Sequence, residues 1–358
     1  MVLPAIVTAV LVARYVSDHN FGVDFRHDFW VAGWDVRAGL SPYDWTRQQI
    51  RDLVAFPYPP LAALFFVPFS LLGKTAALVL FELASAAAGF AALRVLGVRD
   101  WRVYAVVLLW WPVINVWQTA NVTLLFACGI AVVWRHRDNP WVVGALSALM
   151  LSIKPIVWPL FIWLLVSRRY RSIGAAVLVG VPLNLIGWTI LGSTELVGWW
   201  HMLGRENDVL YSSGYGFPAL AAHLGASRFG GTVLEVAVAA AVAAVCLYLG
   251  KLGRDAESFS AAVILMLVAS PLVDNHYFAL LIVPLALRQR RFAIIWLIPL
   301  VLWLCPATGV ATWQIFLSWA TVAAVAYTTC FESGRRVSNP RPSAWEADAL
   351  PTELRPRG

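Results

Sequence analysis

Apolar residues dominate the chain in long blocks that short polar segments separate. The blocks lie at about 2–17, 58–73, 75–93, 103–117, 121–135, 140–152, 155–167, 173–191, 230–250, 259–271, 276–288, 292–304 and 312–330. A helix needs about 20 apolar residues to cross about 30 Å of hydrocarbon, although shorter and broken helices occur inside bundles. The pattern therefore predicts an all-α polytopic membrane protein.

The composition excludes several other classes of protein. Of the 358 residues, 60% are hydrophobic and 13% are charged, whereas soluble domains average roughly 45–50% apolar and about 25% charged residues. Too few charges remain to cover a water-facing surface. The net charge of +7 does not favour nucleic acid as a partner, because most basic residues sit in short loops between apolar blocks.

Basic residues concentrate in six of the polar segments. These segments contain Arg94/Arg99/Arg102, Arg135/Arg137, Arg168/Arg169/Arg171, Lys251/Arg254, Arg288/Arg290/Arg291 and the arginines after residue 330. By the positive-inside rule these segments are cytoplasmic. The loops that alternate with them are then extracytoplasmic; they lie at 18–57, 115–121, 152–156, 192–229, 271–276 and 305–311.

This alternation constrains the topology. If block 58–73 crossed the bilayer, every later basic segment would face outward. That block is short and rich in proline, so we expect a re-entrant or interfacial helical segment in the first outer loop. About 12 transmembrane helices then remain in a domain at 1–333, with both termini cytoplasmic in the plasma membrane. By composition, residues 334–358 form a disordered cytoplasmic tail.

The region 140–167 must form a hairpin, because basic segments flank it on both sides. Each arm of about 13 residues rises only about 20 Å. The turn at Ser152–Pro155 therefore lies at membrane depth, and the same argument applies to Ser270–His276. Broken helices of this kind are tolerated where they line a protein-buried or watery cavity.

Several polar side chains are expected at this depth on the extracytoplasmic side. A charge there costs roughly 2.5–3.5 kcal/mol, so it is a functional-site hypothesis by default. Lys154 beside a proline break suits a phosphate, because an ammonium offers three donors. Asp24 is a candidate general base for a sugar hydroxyl, and His276 is a candidate donor to a phosphate.

Each of these residues also has a structural interpretation. Lys154 could extend to the interface or pair with an acid. Asp24 could be a solvated loop acid, and His276 a packed loop residue. Gln118 and Asn121 could cap a helix and form a turn.

Signatures of soluble enzymes are absent from the sequence. There is no glycine-rich phosphate loop, HExxH, paired CxxC or GxSxG. The four cysteines lie in or at the ends of apolar blocks, so no disulfide framework is implied. Glu82 lies within an apolar block and is assigned no role.

The order of short motifs resembles glycosyltransferase family 87 of the GT-C superfamily. The motifs are Asp24-Phe25-Arg26, Ala38–Tyr43, Phe56–Leu61 with Pro68, Trp117–Asn121, Gly144 with Ile153–Pro155, and Ser270-Pro271 with His276-Tyr277. The resemblance spans about residues 20–290.

The resemblance implies a GT-C-type bundle and an inverting transferase. It would move one sugar, mannose or arabinofuranose, from a polyprenyl-phosphate donor to an envelope glycolipid or glycan acceptor on the extracytoplasmic face. Asp24 best matches the catalytic base, with Asp28 as the second choice. Lys154 and His276 match the donor-phosphate contacts.

Other residues of these motifs are assigned to substrate binding. They are Arg26, Tyr58, Gln118, Asn121 and Asn275. No cofactor or metal is expected, although a divalent ion held by Asp24 and Asp28 is an alternative. The expected partners are the sugar donor, the acceptor and the lipid bilayer, without nucleic acid.

Two other functions are compatible with the sequence. Broken helices at membrane depth are also found in transporters, so a flippase of lipid-linked saccharides is one alternative. A non-catalytic scaffold within an envelope-synthesis complex is the other.

Overall fold

The computed structural model describes residues 21–52, 55–306 and 308–331, and residues 6, 10, 11, 13 and 14. Over these residues the chain is helical, without a strand. Most of the predicted span at 2–17 and the whole of the predicted tail at 334–358 lie outside the described residues.

The helices follow one another with short connections. The α-helices are Trp30–Ala38, Arg47–Arg51, Pro60–Ser70, Lys74–Val95, Trp101–Val107, Trp111–Thr119, Thr123–Arg135, Pro140–Ile153, Leu160–Val166, Tyr170–Leu191, Glu195–Leu210, Phe217–His223, Arg228–Lys251, Asp255–Val268, Ile282–Arg288 and Thr312–Ala326. The 3₁₀ segments are Pro155–Val157, Asn275–Leu281 and Ile294–Leu304, and the π-helical segments are Phe25–Phe29 and Tyr327–Phe331.

Long apolar helices identify a multi-pass membrane protein. By length and composition, 4 helices can cross a bilayer: Lys74–Val95, Tyr170–Leu191, Arg228–Lys251 and Thr312–Phe331. A fifth candidate is the pair Trp111–Thr119 and Thr123–Arg135. The path of the chain bends by 118° at the break between these two helices. The helices of the described residues therefore provide 4 or 5 candidate spans, and the twelve predicted transmembrane helices are not shown.

Proline explains why several predicted blocks are broken. The block 103–117 divides before Trp111–Thr119, where Pro112 lies in the first turn. The block 292–304 is a 3₁₀ helix that contains Pro299. Proline removes a backbone donor and disfavours helical geometry in the residue before it. Apolar character therefore persists through segments that are not continuous α-helices. The block at 58–73 contains only the 11-residue helix Pro60–Ser70, which is too short to cross hydrocarbon.

The two ends of the predicted hairpin at 140–167 meet on one acidic side chain. The Arg137 Nε and an Arg169 guanidinium nitrogen lie 3.6 and 2.9 Å from the Asp255 carboxylate. The Arg169 Nε also donates to the Arg137 carbonyl at 3.2 Å. The chain turns at Lys154, where the helix Pro140–Ile153 ends in extended backbone. The segment 140–167 therefore begins and ends at the same end of the bundle.

The remaining basic segments gather at the same end of the bundle. The Arg254 and Arg288 side chains donate to backbone carbonyls within 328–330, at 2.8 and 3.1 Å. The Phe292 N–H donates to the Asp100 carboxylate at 2.9 Å. We call this end the basic end.

The loops that alternate with the basic segments meet one another at the other end. The Gly22 N–H donates to the Gln118 carbonyl at 2.7 Å, and the Tyr215 N–H donates to the Val273 carbonyl at 2.7 Å. The chain thus sorts its polar segments into two groups, as their alternation along the sequence predicts. We call this second end the cavity end.

The helix Pro140–Ile153, which leads to the turn at Lys154, packs closely against Tyr170–Leu191. Gly144 lies where Pro140–Ile153 crosses Tyr170–Leu191, and a Cβ there would stand 2.5 Å from the Ser172 carbonyl oxygen. Only glycine permits this approach of the two backbones.

Candidate active site

A cavity of about 530 Å³ occupies the cavity end. Its polar lining comes from seven separate parts of the chain and consists of Asp24, Asp28, Tyr58, Asn115, Gln118, Thr119, Asn121, Lys154, Glu206, Ser270, Asp274, His276, Tyr277 and Thr308. Seven of the nine residues that the sequence assigned to the site therefore line one cavity.

Asp24 is held by the break between Trp111–Thr119 and Thr123–Arg135. The Asn121 side-chain amide donates to Asp24 Oδ2 at 2.7 Å, and the Thr123 hydroxyl donates to Asn121 Oδ1 at 2.9 Å. Ala120 has a φ of 56°, an uncommon left-handed conformation for a residue with a Cβ. This turn directs the Asn121 amide at the carboxylate.

The environment of Asp24 adjusts its proton affinity. Burial raises the pKa of Asp24 to about 7, and the nearby Asp274 carboxylate adds to the rise, whereas the Asn121 hydrogen bond and the Lys154 charge oppose it. A carboxylate with a pKa near neutrality is suited to accept a proton in a reaction.

Lys154 presents its ammonium to the cavity from the hairpin turn. The side chain is 8% exposed, and Nζ lies 4.0 Å from the centroid of the Tyr277 ring. Nζ also donates to the Tyr58 hydroxyl at 3.5 Å. Lys154 forms no direct ion pair with a carboxylate of the described residues. Two tyrosines thus hold the cation and leave it able to receive an anion.

Carboxylates outnumber cations in the cavity. Asp24, Asp28, Glu206 and Asp274 interact electrostatically with one another, and Lys154 acts on Asp24, Glu206 and Asp274. No three acid, histidine or cysteine side chains within the described ranges are arranged to hold a metal ion.

Two buried groups face the cavity with unpartnered polar atoms. Asp28 lies one turn after Asp24, and its Oδ1 has no hydrogen-bond partner among the described residues. The His276 side chain is 3% exposed, and neither of its ring nitrogens has a partner in the described part of the chain. Leaving a buried polar group unpaired costs about 1–3 kcal/mol. These atoms are therefore candidates for substrate contacts.

Arg26 and Asn275 do not line the cavity. Arg26 lies between Asp24 and Asp28 on one helical segment, and residues two apart do not share a helix face. Asn275 is fully buried, and its side-chain amide donates to the Cys305 carbonyl at 3.0 Å. Their assignment to substrate binding gains no support from the geometry.

Glu206 is a cavity residue that the sequence interpretation missed. It stands within Arg205-Glu206-Asn207-Asp208, a run typical of a solvated surface. Leu203 and Leu210 also line the cavity. Residues 203, 206 and 210 are spaced as on one face of a helix, and this spacing could have indicated that Glu206 faces the same way as the two leucines. Burial raises the pKa of Glu206 to about 7.

The helix that contains Glu206 lies against the first outer loop. On this helix, Glu195–Leu210, the Trp199 indole donates to the Pro57 carbonyl at 3.0 Å. The Arg205 guanidinium donates to the Trp45 carbonyl at 3.2 Å. These contacts hold the helix against the cavity.

The fold and the cavity define a membrane-embedded protein with a buried acid and lysine site. The model of glycosyltransferase family 87 matches residues 56–271, more than half of the chain. The chain belongs to this family, and membership implies glycosyltransferase activity. This confirms the resemblance noted from the sequence. The match begins after Asp24 and Asp28 and ends before Asp274 and His276. Neither a curated protein nor a solved structure matches the chain significantly.

Proposed function

We propose that this protein is an inverting glycosyltransferase that takes a single sugar, mannose or arabinofuranose, from a polyprenyl-phosphate donor. The acceptor is an envelope glycolipid or glycan. One observation carries the proposal: the carboxyl group of Asp24 and the ammonium of Lys154, from distant segments, line the same buried cavity. A proton acceptor and a phosphate ligand are the two groups that this reaction requires.

Asp24 is the proposed general base. Its Oδ2 is fixed by Asn121, which leaves Oδ1 without a side-chain donor among the described residues. Oδ1 would accept the proton of the acceptor hydroxyl. Asp28 lies beside it and is the second choice.

Lys154 is the proposed ligand of the donor phosphate. Its ammonium is held by Tyr58 and Tyr277 rather than by a carboxylate. It would therefore offset the charge that develops on the phosphate as the sugar leaves. His276, whose ring nitrogens lack partners among the described residues, would donate a further hydrogen bond.

The transfer step balances without a further reactant. The acceptor oxygen forms a bond to the anomeric carbon as the bond from that carbon to the phosphate oxygen breaks. The electron pair of the broken bond stays on the polyprenyl phosphate, and the acceptor proton passes to Asp24. Attack opposite the leaving phosphate inverts the anomeric centre.

The proposed orientation follows from the two ends of the bundle. The positive-inside rule places the basic end in the cytoplasm, so the cavity end faces outward in the plasma membrane. The expected topology is about twelve transmembrane helices in a domain at 1–333, with both termini cytoplasmic. A donor with a lipid tail suits this side of the membrane, because a supply of soluble nucleotide sugars cannot be assumed outside the cytoplasm.

The test uses purified protein in vesicles that contain an envelope glycolipid as acceptor together with polyprenyl-phosphate-mannose or polyprenyl-phosphate-arabinofuranose. We expect one donor to be consumed, and Asp24→Asn to lower the rate by about 10²–10⁴-fold, the usual contribution of a general base. Asp44→Asn is the matched control, since Asp44 is an exposed acid of the same loop.

Full turnover by Asp24→Asn would refute the assigned base. Movement of labelled donor lipid across the vesicle without sugar transfer would instead favour a flippase. A folded protein that consumes neither donor would contradict the proposed donor class.

A further inference from the structure

A second cavity, of about 700 Å³, lies at the basic end. Its lining contains Arg94, Arg99, Arg135, Arg137 and Arg290 with His136, and no acidic residue. Val95, Leu96, Val132 and Trp134 supply an apolar wall. In the sequence these arginines stand in the short basic segments that indicate the membrane topology.

One of the arginines is held in position by side-chain contacts, and a second lies beside a glycine turn. The Arg137 guanidinium lies 4.6 Å from the centroid of the Trp134 ring and 3.6 Å from Asp255. Arg290 lies against Gly97, where an added Cβ would stand 3.4 Å from the Arg290 Cδ and Nε. Gly97 has a φ of 88°, a left-handed conformation that favours glycine at this turn.

The other feature of this cavity is its unbalanced charge. Apart from Arg137, its arginines form no ion pair with an acid of the described residues. Outside the cavity lining at the same end, Arg102 pairs with Asp100 and Arg169 with Asp255. Four guanidinium groups that line one cavity without a paired carboxylate suit a phosphate, which guanidinium groups bind through paired hydrogen bonds.

Exposed tryptophans beside the basic segments favour a position of the cavity at the level of lipid headgroups. Trp101 and Trp141 are 58% and 60% exposed, and each begins or nearly begins a helix beside a basic segment. Exposed tryptophans of membrane proteins concentrate at the boundary between hydrocarbon and water. The apolar helices Lys74–Val95 and Thr123–Arg135 end at the cavity.

This cavity is separate from the candidate active site. Asn121, which precedes the helix Thr123–Arg135, lines the active-site cavity, and Arg135 at its end lines the basic one. A helix of this length spans about 20 Å. A ligand in the basic cavity therefore does not touch the proposed reacting groups.

We propose that the basic cavity binds the phosphate group of an anionic lipid. Arginines that serve only to set topology or to face helix C-termini need not line one cavity. The exposed tryptophans and the apolar wall favour a lipid over a soluble anion. Basic pockets between transmembrane helices on the cytoplasmic side bind anionic headgroups in other membrane proteins.

The test measures lipid retained by the full chain with native mass spectrometry. The probes are phosphatidylglycerol, phosphatidylcholine and inorganic phosphate. We expect selective retention of phosphatidylglycerol and at least a tenfold weaker affinity in Arg135→Gln/Arg290→Gln. Arg135→Lys/Arg290→Lys keeps the charge without the guanidinium fork, so it should retain an intermediate affinity.

The matched control is Arg168→Gln/Arg171→Gln, which removes two exposed arginines from the same end outside the cavity lining. An equal loss of phosphatidylglycerol in this control would overturn the proposal, because general surface charge would then explain binding. Equal affinity for inorganic phosphate, or for phosphatidylcholine, would overturn it as well. These readouts do not use sugar transfer, so they stand apart from the proposed enzymatic function.

Discussion

The Asp24 carboxylate accepts a hydrogen bond from the Asn121 side-chain amide at 2.7 Å, across 97 positions of sequence. The bond joins the first outer loop to the break between two helices. It fixes one carboxylate oxygen and stabilises the charged form of the acid. Asn121 is therefore a positioning residue for the proposed base.

Replacing Asn121 tests this role. We expect Asn121→Ala to lower sugar transfer by about 10- to 100-fold, since a hydrogen bond to a charged group contributes about 1.5–3 kcal/mol. Because this bond lowers the pKa of Asp24, its loss should also move the pH–rate curve to higher pH.

Thr123→Val is the companion variant for Asn121. It removes the donor to Asn121 but leaves the bond to Asp24 in place, so a smaller loss is expected. A rate reduction in Asn121→Ala without any shift of the pH–rate curve would indicate a purely structural role.

The rate should depend on pH near neutrality. Asp24 has a pKa raised to about 7 by burial, and only its deprotonated form accepts a proton. The value of kcat/KM should therefore be low at pH 6 and pass through half of its maximum near pH 7. Because burial lowers the pKa of Lys154 to about 8, the value should fall again as that ammonium loses its proton. Glu206 has a pKa near the same value, so the profile of Glu206→Gln assigns the titration. Loss of the rise in that variant would assign it to Glu206 instead of Asp24.

Lys154 should contribute both to binding of the donor and to departure of the polyprenyl-phosphate leaving group. We expect Lys154→Gln to raise the KM for the donor and lower kcat, and Lys154→Arg to retain part of the activity because it keeps the charge. The measurement is steady-state donor consumption, with Lys251→Gln at the basic end as the control. Unchanged kinetics in Lys154→Gln would contradict the phosphate assignment.

The close crossing of Pro140–Ile153 and Tyr170–Leu191 at Gly144 should contribute to the thermal stability of the protein. A Cβ at Gly144 would lie 2.5 Å from the Ser172 carbonyl oxygen and 2.6 Å from the Ala175 Cβ. Gly144→Ala should therefore destabilise the protein by about 1–3 kcal/mol, measured as a lower Tm in detergent. Gly174→Ala is the control, since no atom lies within 4 Å of its added Cβ. Equal Tm values for the two variants would contradict the close packing.

The sequence predicted much of the site because breaks in apolar segments are local features. Lys154-Pro155 interrupts an apolar run, and the structure ends a helix at Ile153. The direction of a side chain near a break is not local. Asn275 and His276 are adjacent, yet His276 lines the cavity whereas Asn275 bonds to Cys305.

By itself, the sequence determined the membrane class, the family resemblance and the sorting of basic and polar segments. These properties follow from composition and from the order of residues along the chain. Only the tertiary structure decided that Asp24, Lys154 and Glu206 share one cavity, and that Arg26 lies outside its lining. The physical reason is that packing between distant helices sets the direction in which each side chain points, and sequence spacing does not encode those distant contacts.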